Sequence, residues 1–211
     1  MEIEKETKEE KDTNRLEAFS DGVFAIAITL LILELKVPAL ISESLTSPEL
    51  GKALLQQWPS YFSLVTSFFT ILVMWVHHHA IFSHVRKADA WVHFANGCLL
   101  LMVTFVPYPT SVLAAYLETP AAKTAAIFYS GTFVLIAICF NLVLRAAFRK
   151  STLLASTPDS VVERSCRNYM FGPFFYGIAT VSAFLDVRLC LTLCTLLWIY
   201  WTTTAMQNTR V

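Results

Sequence analysis

Three stretches of this chain carry residues whose types and spacing could do chemistry in an apolar setting. The first is "RLEAFSDGVFAIAITLLILELKVP", Arg15 to Pro38, where Arg15, Glu17, Ser20 and Asp21 stand at the edge of a long apolar run. Arg15 and Asp21 are six residues apart, about 240° around a helix, so they cannot pair along it. Each then needs a partner on another helix, a backbone group or water. Ionisable groups at such depth are costly and tend to serve function. A plainer role stays open, with Arg15 as a positive anchor and Ser20 and Asp21 at the membrane interface. The second stretch is "WVHHHAIFSHVRK", Trp75 to Lys87. Three consecutive histidines invite a metal, but on a helix they point about 100° apart. His79 and His84, five positions apart, also fail to share a face. Zinc sites use His at i and i+4 or mixed Cys/His sets, so no metal is expected, and one His is expected to hydrogen-bond at the helix end. The third is Asn96 in "WVHFANGCLLLMVTFVPYPT". A lone amide in a span usually hydrogen-bonds to a neighbouring helix.

A stripe of another kind runs through the first stretch. Ile26, Leu30 and Leu33 recur at i, i+4 and i+7 and share one helix face. The helix is apolar all round, so periodicity does not choose its exposed side, and plain packing or pore lining both fit. Glu34 could draw cations to a pore mouth, but Lys36 partly cancels it. There is no TVGYG filter, no Arg-rich voltage sensor, no Walker motif, no HExxH and no GxSxG. Few carboxylates besides Asp21 and Glu34 lie in or beside the apolar runs, which leaves a proton-coupled carrier little to work with.

These residues need elements to hold them, and composition says which. Of the 211 residues, 55% are hydrophobic and only 15% are charged, against about a quarter charged in soluble domains. Apolar segments fall at about Phe19–Val37, Trp58–Val76, Trp91–Leu117 (interrupted by Pro107 and Pro109), Ala121–Leu144, Tyr169–Leu185 and Leu189–Trp201, the last extending to Val187 and Ala205. They are continuous runs without the alternation of barrel strands, so membrane-spanning helices are expected, six per subunit. Only Asp186 and Arg188 separate the fifth and sixth, which predicts a tight helical hairpin. The segment Arg145–Arg167, with its "STPDS", is the expected flexible connector. Of the five cysteines, Cys98, Cys139, Cys190 and Cys194 fall in spans and Cys166 in a basic loop. They read as small hydrophobes without a disulfide framework.

Lys and Arg set the orientation. With the N-terminus inside, the inner segments hold Lys5, Lys8, Lys11, Arg15, Arg86, Lys87, Arg145, Arg149, Lys150, Arg164, Arg167 and Arg210, leaving Lys36, Lys52, Lys123 and Arg188 outside. Both termini are then cytoplasmic. The first fourteen residues lack a signal-peptide core, so the first span is expected to act as its own insertion signal. Residues 1–14 read as a charged cytoplasmic segment, 15–205 as the membrane domain and 206–211 as a short tail. Asp21, His79 and Asn96 then lie at one level, so Arg15, Asp21, a Trp75/His79 pair and Asn96 are expected to form a polar layer joining the first three helices. The formal net charge is zero, which implies no nucleic-acid partner.

The stretch "RLEAFSDGVFAIAITLLILEL" resembles the Arg-x-x-x-Phe-Ser-Asp signature that opens the first helix of the transmembrane protein 175 family, through Arg15, Phe19, Ser20 and Asp21. "WVHHHAIF" and the Asn-containing "FANGCLLLMVTFVPYPT" are similar to its second and third helices, so the likeness covers roughly residues 15–117. The resemblance implies a potassium-permeable cation channel. Animal members carry two six-helix repeats and this chain one, which implies a prokaryotic homotetramer in the cell membrane. It also implies that the first helix lines the pore, with Ile26 as the narrowest ring and Leu30 and Leu33 above it, in place of a carbonyl filter. Arg15, Asp21, Trp75, His79 and Asn96 would then be scaffold. No cofactor is implied beyond potassium as permeant, and no catalysis. Two other readings stay open: a secondary transporter or proton-permeable pathway using Asp21 and the membrane-edge histidines, and an intramembrane enzyme or metal-binding protein.

Overall fold

The computed structural model of the chain describes residues 2–38, 46–149, 152–154 and 156–208. The elements among these are α-helical. α1 (Glu2–Leu30) tightens into one 3₁₀ turn, Leu31–Glu34, and is followed by α2 (Ser47–Gln56), α3 (Trp58–Phe82), α4 (Ala90–Phe105) and α5 (Pro107–Tyr116). α6 (Ala122–Ala147), α7 (Asp159–Met170), α8 (Gly172–Ser182) and α9 (Val187–Asn208) complete the chain. Five stretches are long and apolar enough to cross a membrane: Lys11–Glu34, Trp58–Phe82, Ala90–Tyr116, Ala122–Ala147 and Val187–Thr204.

Prolines write most of the boundaries. α2, α3, α5 and α8 each start with a proline in the first two positions, where the missing N–H is one the helix leaves unpaired anyway. Pro107 thus restarts the third span as α5 without ending it, and Pro109 falls within the same first turn. Pro173 acts differently on the fifth predicted segment, Tyr169–Leu185. It divides that segment, so Tyr169 and Met170 fall in the last turn of α7 and only the 11-residue α8 follows. That is roughly 16 Å of helix, against a hydrocarbon core of about 30 Å. α8 lies along α6 and α9, with Tyr176, Ala179 and Ser182 buried. The α8–α9 hairpin forms as expected, and the Asp186 carboxylate caps α9 by accepting from the Arg188 and Leu189 amides at 2.6 and 3.1 Å.

α6 is the most extensively packed helix of the bundle, and α3 packs on α1, α5 and α9. α4 packs on α1 and α6, and α6 on α8. α1 therefore sits at the edge of the bundle. Several polar side chains that enter the core find partners on other helices. Ser67 of α3 meets the Thr110 hydroxyl of α5 at 2.7 Å and the Tyr129 hydroxyl of α6 at 3.3 Å, joining three helices where no water is at hand. The five cysteines are free thiols; Cys190 and Cys194 are buried and Cys166 is exposed on α7.

The expected flexible connector is shorter and more tied down than its composition suggests. α6 runs to Ala147 and α7 begins at Asp159. Between them Leu153 forms an antiparallel bridge with Val85. The Leu154 amide donates to the His84 carbonyl at 3.0 Å and the Arg86 amide to the Thr152 carbonyl at 2.9 Å. Asp89 fastens the same corner. Its side chain accepts from the Trp91 and Val92 amides at 3.0 and 3.1 Å, capping α4, and also pairs with the Arg149 guanidinium. Burial pushes the Asp89 carboxyl up, but the Val92 amide, Arg149 and the Trp91 amide outweigh it and hold the carboxyl below the usual aspartate value.

A group with a depressed folded-state pKa contributes stability above its unfolded pKa and loses it as pH falls through the folded value. Asp89→Ala is therefore expected to lower stability at neutral pH by about 1–2 kcal/mol, the cost of losing a cap. The gap to the parent chain should close as pH drops below the ordinary aspartate range. Thermal unfolding of the purified protein in detergent across pH checks both.

Candidate functional site

α1 turns one face to the bundle. Thr13, Ser20, Phe24, Ala27 and Leu31 are buried, in steps of seven, four, three and four residues that follow one side of a helix. Along this face side chains from α3 and α4 reach α1 through hydrogen bonds. The Asn96 amide of α4 donates to the Ser20 hydroxyl at 2.9 Å, and Ser20 donates to the Leu16 carbonyl at 2.8 Å. The Asn96 carbonyl oxygen lies 2.8 Å from Nε2 of His78. That oxygen can only accept, so Nε2 carries the proton and Nδ1 is a bare acceptor. Nδ1 is buried without a partner, and the ring lies 5.3 Å from Phe24 and 4.3 Å from Phe82. Beside Ser20 on α1, Asp21 accepts from the Trp75 indole of α3 at 2.8 Å. Trp75 stacks on His79, whose Nδ1 meets the Glu17 carboxylate at 2.7 Å. Nearer the start of α1 the Ala88 amide donates to the Thr13 hydroxyl at 3.0 Å.

The histidine triplet thus serves three separate neighbours, as its 100° steps require. His78 serves α4 and His79 serves α1, while His77 faces the other way. His77 Nε2 lies 3.0 Å from the Trp201 carbonyl, which can only accept, so Nδ1 accepts from the Tyr169 hydroxyl at 2.6 Å. Asn141 adds a bond from α6 to the Tyr169 carbonyl at 2.8 Å. α3 therefore joins α1 and α4 on one side to α7 and α9 on the other. Among the described residues no three His, Cys, Asp or Glu side chains gather as a metal would require.

Of the residues proposed for the polar layer, Asp21, Trp75, Ser20 and Asn96 come together in this clamp. His79 joins it through Glu17, and His78 is the partner of Asn96. Arg15 does not join: its side chain is 79% exposed and lies 4.0 Å from Asp12 on its own helix. The reason is its position, since Arg15 is five residues from Ser20 and so about 140° off the buried face. His78, Glu17 and His77 were missed by sequence reasoning. The available signal was the triplet itself, because consecutive positions on a buried helix must each find a different neighbour.

The other face of α1 is bare. Phe19 is 64% exposed, Ile26 58%, Leu30 37% and Leu33 67%, while Ile28 is half-buried and packs against the core. The signature Phe19 therefore lies with the stripe and not in the clamp. At the end of the 3₁₀ turn Glu34 accepts from the Ser111 hydroxyl of α5, so its carboxylate is engaged with the bundle.

The sequence compares with known proteins as follows. The family profile "endosomal/lysosomal potassium channel TMEM175" matches residues 15–107. A potassium channel of Chamaesiphon minutus is 47% identical over 92% of this chain and 96% of its own length. A potassium channel of Streptomyces collinus is 40% identical over 90% and 91%. The human endosomal/lysosomal proton channel TMEM175 is 33% identical over 62% of this chain but only 27% of its own length. Among solved structures, the crystal structure of a lysosomal potassium-selective channel TMEM175 homolog from Chamaesiphon minutus superposes with a TM-score of 0.83 at 45% identity, over 92% of this chain and 98% of that one.

Asn96 is the middle member of the clamp, so its loss strands two buried groups at once. Asn96→Leu is expected to cost about 1–3 kcal/mol, the range for leaving buried donors and acceptors unpaired. Arg15→Ala, at an exposed site, should stay within about 0.5 kcal/mol of the parent chain. Melting curves of the two variants, followed by tryptophan fluorescence in detergent, provide the comparison; equal losses would remove the distinction between clamp and surface.

Proposed function

The chain belongs to the endosomal/lysosomal potassium channel TMEM175 family, a family of ion channels and not of enzymes, and is a multi-pass integral membrane protein of the bacterial kind; from that premise we propose that it is a potassium-permeable cation channel. Four copies assemble around a central pore, and α1 of each lines it. Every subunit contributes six membrane crossings, the short α8 completing the sixth with the turns beside it, and both termini are cytoplasmic. The filter is an apolar neck, with Ile26 at the narrowest ring and Leu30 and Leu33 on the outer side of it.

The observation that carries this reading is the two-sided character of α1. Its Glu17, Ser20 and Asp21 side chains are engaged by α3 and α4, and among the described residues its face with Ile26, Leu30 and Leu33 is left exposed. A helix clamped at its inner half and bare along its apolar side is suited to meet copies of itself about an axis. One subunit supplies one such helix, and closed rotational symmetry supplies the rest.

A ring of isoleucine side chains offers no oxygen to replace a cation's water, so dehydration there is uncompensated and a narrow ring can empty of water altogether. Potassium sheds water more easily than sodium, which gives a moderate preference for potassium. Arg15, outside the clamp and exposed near the inner end, sits where it meets the cytoplasmic mouth. The clamp residues Asp21, Trp75, His79 and Asn96 set the angle of α1 and do not touch ions. A proton-permeable pathway through Asp21 and the histidines is disfavoured by the same bonds, since Asp21 is taken by Trp75, and His77 and His78 each have one tautomer specified by a carbonyl partner.

The test is substitution at the neck. Ile26→Asn places amides of similar bulk around the ring, so water and partly hydrated ions gain hydrogen-bonding partners there. Conductance in single-channel recordings should rise and the preference for potassium over sodium should weaken. Ile28→Asn, turned about 200° away into the subunit, should impair assembly without raising conductance. Unchanged current and selectivity in a well-assembled Ile26→Asn channel would place the neck elsewhere, and a monomeric or dimeric mass under mild detergent would refute the fourfold assembly.

A further inference from the structure

At the inner end of the bundle a groove of about 630 Å³ opens between the last turns of α3 and the facing side of α7. Trp75, Phe148 and Val161 give it apolar walls, and His84, Arg164 and Ser165 stand in its lining as hydrogen-bond donors. Among the described residues, none of these three side chains has a hydrogen-bond or ion-pair partner. His79 also reaches the groove, but its Nδ1 is held by Glu17. The acidic residues of α7, Asp159 and Glu163, do not line it.

We propose that this groove holds the headgroup of an anionic phospholipid from the adjacent leaflet. Guanidinium, imidazole and hydroxyl together match the acceptor oxygens of a phosphodiester, and the apolar walls suit the glycerol and first acyl carbons behind it. A soluble anion would find no use for those walls. Its surroundings fit the same occupant. Arg86, Arg145, Arg149 and Arg167 crowd this end of the chain, and basic pockets beside membrane helices on that side recruit anionic lipid. α7 is also built for the interface. Its Val161, Ser165 and Tyr169 recur every four residues towards the groove, Arg164 and Arg167 flank them, and Pro173 turns the chain into α8 immediately afterwards. The proposal rests on the chain spanning a membrane and not on its conducting ions.

The test uses the full-length protein in mild detergent, with lipid retention read by native mass spectrometry and stability by melting temperature. The additives are phosphatidylglycerol, phosphatidylcholine and inorganic phosphate. Phosphatidylglycerol is expected to be retained over phosphatidylcholine and to raise the melting temperature, while phosphate does neither. Arg164 is exposed, so Arg164→Gln should fold normally and lose about fivefold of that preference. Arg188→Gln, at the opposite end of the bundle, should keep it. Equal retention of the two lipids, an undiminished preference in Arg164→Gln, or a melting shift reproduced by inorganic phosphate would each overturn the proposal. None of these outcomes bears on the current recordings that test the channel reading.

Discussion

Inside a bilayer a polar group has no water to fall back on, so each one must be answered by another part of the protein. In this chain that constraint converges on Asn96. Its amide donates to Ser20 on the first helix, its carbonyl accepts from the His78 Nε2–H, and Ser20 donates in turn to the Leu16 carbonyl. With Trp75 on the neighbouring Asp21, the bonds leave α1 a single way to face. Individual hydrogen bonds between membrane helices contribute only about 1 kcal/mol. Their value here is geometric, because the two of them that cross to α1, Asn96 to Ser20 and Trp75 to Asp21, would be left unmade if α1 rotated.

The consequence is a division of labour around the first helix. Polar side chains on one side are engaged in holding it, and on the opposite side, with Ile26, Leu30 and Leu33, the exposed Thr29 turns its hydroxyl back to the Ile26 carbonyl of its own helix at 2.9 Å. A featureless apolar stripe becomes usable only when something else fixes where it points. The histidine triplet extends the same logic to the whole bundle, since His77 ties α3 to Tyr169 and the Trp201 carbonyl on the far side. Movement of α1 and movement of α7 to α9 are therefore both felt by the same two turns of α3.

Much of this was legible in the sequence. Apolar runs marked the helices, and Asp186 with Arg188 marked the hairpin. The signature around Arg15, Phe19, Ser20 and Asp21 pointed to the family that whole-chain comparison then established. The clamp was legible in part. Asp21, Trp75 and Asn96 stood out because a polar residue in an apolar run calls for a partner. Arg15 stood out for the same reason and proved to lie outside the clamp, on the exposed side of its helix. Charge alone says that a partner is needed and not in which direction the side chain leaves. Likewise the choice of His78 over His79 for Asn96 depends on a rotation of about 100°, which three identical letters cannot encode.

What the sequence by itself determined is therefore the class of solvent and the list of groups that solvent cannot satisfy. Hydropathy and the Lys and Arg distribution set the first, and the few polar letters in apolar runs set the second. What only the tertiary structure decided is who answers whom: His78 for Asn96, Glu17 for His79, Tyr169 for His77, and Leu153 and Leu154 returning to Val85 and His84 across the connector. It also decided that Pro173 leaves the fifth segment as a short helix beside α6. The physical reason is that pairing depends on helix rotation and on the approach of distant segments, and both are set by packing over the whole bundle, which no local stretch of sequence contains.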